Sequence, residues 1–163
     1  MAFTNGIPLA FSDTMVGLTN TAWLAVNGDY LYMTREAMPP DVVTKCFVTA
    51  NGGLENCLEM ALGLSAYSGG ITFNKESDFY VHNVAIWLMA KCSVKTVFGE
   101  LESCTNSGAT GLNGPVDVTA TQDAGYITNG NQDTVIRCLI QLDDIVASWL
   151  DSCASGLSFP YGR

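Results

Sequence analysis

The run DTVIRCLIQLDDIVASWLDSC, residues 133–153, constrains the fold of this chain more than any other stretch. At helical spacing it puts Val135, Leu139, Leu142, Ile145 or Val146, Trp149 and Cys153 on one face. Arg137, Gln141, Asp144, Ser148 and Asp151 lie opposite. Apolar residues recurring every three or four positions mark an amphipathic helix. Such a stripe must be buried on other elements, so the rest of the chain is expected to supply helical partners.

Residues 77–103, SDFYVHNVAIWLMAKCSVKTVFGELES, provide the first of these. Ser77 can cap the helix, and Asp78 sits where negative charge suits the helix dipole. Val81, Val84, Ala85, Leu88 and Cys92 form one face, while Trp87, Met89, Val94 and Phe98 cover much of the remainder. A helix apolar nearly all round packs against more than one neighbour. Earlier, FSDTMVGLTNTAWLAV, with Ser12 or Asp13 as cap, reads as a helix up to a turn or a kink at Asn27-Gly28. DYLYMTREAM resumes it until Pro39-Pro40. DVVTKCFVTA and LENCLEMALGLSAY follow, ended by Asn51-Gly52-Gly53 and Gly69-Gly70. ITFN, residues 71–74, is the one plausible strand. Residues 104–131 hold five glycines and no Lys or Arg. A loop of that length is functional or is ordered by a neighbouring subunit or a ligand. The expected fold is a single all-α domain over residues 1–163. It is a four-helix bundle with a long ordered loop between its last two helices and at most a minor strand element.

Composition narrows the function. The chain is 48% hydrophobic and 14% charged, with positive mean hydropathy, so apolar surface is left over for partners. Net charge is −9, and Arg35, Lys45, Lys75, Lys91, Lys95, Arg137 and Arg163 form no cluster. Nucleic acid is therefore not gripped by overall charge; one or two placed residues are the remaining route. No basic region followed by an apolar one opens the chain, and no apolar run reaches membrane-spanning length. A cytosol-like compartment and no membrane partner are expected. The six cysteines lack CxxC spacing and share the chain with a single histidine, which is no zinc pattern. In a cytosol they are expected reduced and mostly buried.

Few constellations carry chemistry. His82 has Asp78 four residues before it, and the plainest reading is a packed helical histidine. Asp143-Asp144 with Asp151 reads as a solvated face. Glu100 and Glu102 close a helix, where negative charge is disfavoured; they make sense as inter-subunit carboxylates sensitive to protons and Ca²⁺. Arg137 follows Asp133 by four residues, an ordinary helix ion pair or a guanidinium placed to bind phosphate. Nucleotide-binding, hydrolase, metalloprotease and EF-hand signatures are absent. No enzymatic activity, cofactor or resident metal is expected.

Four stretches in order, GLTNTAW, TFNKESDFYVHNVAIWL, DTVIRCLIQLDDIV and SGLSFPYG, resemble the coat proteins of rod-shaped, tobamovirus-like plant viruses. They cover about a third of the chain. The resemblance implies a subunit that self-assembles into a helical rod around single-stranded RNA, a virion component assembled in the host cytoplasm. It places Arg137 with Asp133 at the RNA, Glu100 and Glu102 among the inner carboxylates, and residues 104–131 at the channel. The family carries further arginines where this chain reads VFGELESCTN, which leaves RNA packaging in question. Two other readings use the same composition: a cytosolic helical module holding a pigment or apolar ligand, and a small acidic inhibitor that mimics nucleic acid.

Overall fold

The computed structural model describes residues 21–35, 42–62, 68–74, 79–83, 88–95, 98–106, 112–140 and 150–158. Among them the chain is β throughout. The sole helical element among the described residues is a single 3-10 turn, Gly130–Gln132.

The strands fall into three antiparallel sheets of four, each in simple sequence order. The first sheet holds β1 (Thr21–Asn27), β2 (Tyr30–Arg35), β3 (Val42–Val48) and β4 (Leu54–Ala61). The second holds β5 (Ser68–Phe73), β6 (Phe79–Asn83), β7 (Leu88–Lys95) and β8 (Glu100–Asn106). The third holds β9 (Pro115–Ala120), β10 (Ala124–Asn129), β11 (Thr134–Ile140) and β12 (Leu150–Ser158). Their leading strands converge, β1 on β5 and β5 on β9. Tyr32, Val43, Ile71, Ala90 and Cys92 fill the core between the first two sheets. Met89 meets Val118, Ile127, Ile136, Cys138 and Ile140 between the second and third. Four-stranded meanders packed face to face around converging first strands are the blades of a β-propeller.

The all-α bundle is thus overturned, and the reason lies in the blades. A strand sandwiched between two sheets is apolar on both faces and shows no clean alternation. In β7 of the middle blade, Met89 is buried toward the third sheet, while Ala90 and Cys92 are buried toward the first. Taken together, the two sets mimic a helical stripe. The expected long loop, residues 104–131, is instead the end of β8 followed by β9 and β10. ITFN does lie in a strand, since Ile71–Phe73 ends β5. Asn27-Gly28 is a true turn: Asn27 pairs with Tyr30 across a two-residue hairpin loop, with Gly28 at φ +58°. Asn51-Gly52-Gly53 turns β3 into β4 rather than ending a helix. The Ser12, Asp13 and Ser77 caps, Pro39-Pro40 and Trp87 lie outside the described residues.

Gly69-Gly70 does not stop an element but lets two blades meet. A Cβ on Gly70 would stand 2.2 Å from Asp117 Oδ1 and 2.6 Å from its Cα on β9. On the other side, Thr34 Oγ1 donates to the Gly69 carbonyl at 2.9 Å. One glycine pair therefore joins the leading strand of the middle blade to both its neighbours.

Candidate interaction site: the inter-blade clamp and the outer faces

The register gives each blade the same cross-strand pair. Tyr32 stands opposite Lys45, Tyr80 opposite Lys91, and Tyr126 opposite Arg137. In every case the cation directly precedes a cysteine, Cys46, Cys92 or Cys138, and these are 46 residues apart. Each cysteine is bonded to one on the last strand of its own blade: Cys46–Cys57, Cys92–Cys104 and Cys138–Cys153. The expectation of reduced thiols is overturned, because no cysteine is left free.

At the first junction the pair works as a clamp. Tyr32 is fully buried, and its Oη donates to the Gly99 carbonyl at 2.7 Å. Lys45, 5% exposed, donates from Nζ to the neighbouring Phe98 carbonyl. Its ammonium also lies 4.9 Å from the Tyr30 ring centre, whose π face favours a cation. Carbonyl and ring together offset part of the cost of burying that charge. Burial pushes the Tyr32 phenol up to about 12, with the neighbouring Tyr30 adding to the shift. The receiving turn, between β7 and β8, needs glycine. Gly99 has φ +64°, and a Cβ there would lie 2.6 Å from Tyr32 Oη. Tyr32 further packs on Phe73 of the second blade at 4.8 Å between ring centres.

The residues expected to carry function are dispersed. Asp133 takes a left-handed conformation (φ 49°) after the 3-10 turn, and Arg137 is exposed on β11. Four residues of strand separate them by about 13 Å, so the helical grounds for pairing them are gone. Glu100 and Glu102 sit on β8, beside a lysine of their own sheet. Lys95 Nζ reaches Glu102 Oε1 at 3.1 Å, both side chains being half exposed, and Lys95 is in register with Glu100. The Glu102 hydrogen bond holds the Lys95 ammonium above its ordinary range, and the charges of Glu102 and Glu100 add to this. His82 is on β6, paired with Met89 of β7. Asp78, Asp143 and Asp144 lie outside the described residues. Among the described residues, no three metal-ligating side chains gather to hold an ion.

What reading one helix at a time missed was recurrence. Lys45-Cys46, Lys91-Cys92 and Arg137-Cys138 are followed by Leu54-Glu55-Asn56-Cys57, Leu101-Glu102-Ser103-Cys104 and Leu150-Asp151-Ser152-Cys153. Self-similarity near this period is a signature of propeller blades.

No protein-family model matches the chain, and no curated protein matches it in sequence. Solved structures do. A candidate 6-phosphogluconolactonase from Bacteroides uniformis aligns with TM-score 0.61 at 11% identity, over 80% of this chain and 40% of that one. Virginiamycin B lyase from Staphylococcus aureus gives 0.56 at 14% identity, over 86% and 42%. The periplasmic gluconolactonase of Pseudomonas aeruginosa gives 0.53 at 14%, over 80% and 40%. At these identities the likeness is one of fold, and it agrees with the blade topology. The chain spans about two-fifths of the length of these neighbours.

These findings overturn the resemblance to rod-virus coat proteins, together with the helical capsid and RNA-enclosing filament it implied. The described parts of the two expected radial helices, Phe79–Asn83, Leu88–Lys95 and Thr134–Ile140, are strands. The helical pigment-binding module and the acidic nucleic-acid mimic do not fit this β architecture either.

Proposed function

We propose that the chain is a disulfide-stapled propeller array that works by binding, not by chemistry, in an oxidising compartment. The observation that carries the reading is the recurrence of one disulfide at the same place in each blade. Six cysteines pairing without remainder suit a periplasmic, lumenal or extracellular setting and are rare in a reducing cytosol. Stapled blades give a rigid frame from which turns can be presented to a partner.

Lactone hydrolysis and lyase chemistry are named for neighbours more than twice as long, and their activities do not transfer on fold alone. Peptide mapping without reductant tests the compartment: the three expected pairs support it, and free thiols after export would remove it. Assay against gluconolactone tests the binding reading. No turnover above the spontaneous rate is expected, and saturable hydrolysis lost on heat denaturation would replace binding with catalysis.

A further inference from the structure

The blades bury equivalent positions unequally. Counting along the register from the first cysteine of each blade, Cys46 stands opposite Leu31 and then Val26. Cys92 stands opposite Phe79 and then Phe73, and Cys138 opposite Gly125 and then Ala120. Two residues earlier on each leading strand come Leu24, Ile71 and Val118. Ile71 and Val118 are 6% and 8% exposed, pressed on the preceding blade, whereas Leu24 is 64% exposed. Phe73 and Ala120 pack into the two cores, whereas Val26 is 61% exposed. The first blade thus offers water the apolar positions that its sisters bury on a neighbour.

The other end of the array offers the complement. Val43 and Met89, at one register position, are fully buried against the following blade, and the third blade has the half-buried Val135 there. Beside it Leu139 is exposed. Tyr126 and Arg137 occupy the clamp position filled at the first junction by Tyr32 and Lys45. Among the described residues their side chains make no hydrogen bond or ion pair. The clamp takes backbone carbonyls from a β-turn with a left-handed glycine, as Phe98–Gly99 supplies. The first blade carries such a turn at Thr49–Gly53, with Gly52 at φ +82°.

We propose that the two outer faces dock on one another between two copies of this chain. The third blade of each copy receives the first blade of its partner, Arg137 and Tyr126 reaching the partner's turn at 49–53. Leu24 and Val26 are then buried as Ile71 and Phe73 are within one copy. Head-to-tail contacts close when the rotation permits, and two copies give a six-bladed ring, within the four to eight blades usual for propellers. The inference rests on the blade reading above, deepening it by naming the partner. Its failure is separable, since it is read from mass and the earlier reading from a disulfide map and a hydrolysis assay.

The test is light scattering on the oxidised 163-residue chain at micromolar concentration. The expected mass is twice 17.4 kDa, falling to the single-chain value in L24E/V26E and in R137E. All three changed side chains lie on exposed faces, so circular dichroism should match the parent. Should the double variant unfold, R137E alone decides. A single-chain mass for the parent, an open series of growing oligomers, or a two-copy mass unmoved by the folded variants would each overturn the proposal.

Discussion

The hydroxyl of Tyr32 donates to the carbonyl of Gly99, 67 residues further along and on the next blade, at 2.7 Å. Neither group reaches water there, so the bond is a fixed part of the junction. Replacing Tyr32 with Phe leaves the ring contact with Phe73 in place but orphans the carbonyl. The expected cost is about 1–2 kcal/mol, seen as a lower urea midpoint with an unchanged slope.

The same hydroxyl makes the fold sensitive to alkali. Its pKa stands at about 12 in the folded chain, against 10.0 for an ordinary tyrosine. The folded state therefore holds a proton that the unfolded state releases. That stabilisation is whole below pH 10 and is lost as pH rises through 12, on the order of 2 kcal/mol in all. Stability measured against pH should fall more steeply over this window in the parent than in Tyr32→Phe. Parallel curves would show that the buried phenol is not the cause.

Glycines at two sites should respond differently to alanine. At Gly70 the new methyl meets the backbone of Asp117, which cannot swing aside, so two leading strands must part. A loss of roughly 2–4 kcal/mol is expected. At Gly28 nothing lies within 4 Å, and the penalty is the φ of +58° alone. That should cost about 1 kcal/mol. Thermal melts of the two variants side by side give the comparison.

Each disulfide closes a short loop, with partners separated by 11, 12 or 15 residues. Loop-closure entropy assigns roughly 3 kcal/mol to a cross-link of this span, and the three should be nearly alike. Replacing Cys92 and Cys104 together with Ala should lower the denaturation midpoint by that order. The variant should then respond less to added reductant than the parent does.

The β architecture was only partly legible before the structure. Asn27-Gly28 marked a turn or a kink, and Ile71, Thr72 and Phe73, β-branched and aromatic between polar ends, declared a strand. Elsewhere burial from two sides hid the two-residue alternation. In Leu88–Lys95, Met89 and Cys92 serve different cores, one facing each neighbouring blade. A window read as a helical face merges those two sets into one stripe. The 46-residue spacing of the three cation–cysteine pairs carries the missing information, because it compares distant windows instead of ranking conformations within one. The clamp was less accessible still. Lys45 is an ordinary scattered lysine in the sequence, and only the register sets it beside Tyr32 over a turn of the next blade.

Because every disulfide begins and ends within its own sheet, no bridge ties one blade to another. A gene segment encoding one such unit could be copied or deleted without leaving a half-cystine stranded. A protease nick between blades would likewise leave every bridge intact. Array length is thereby uncoupled from oxidative chemistry, and relatives with other numbers of units need no new pairing rule.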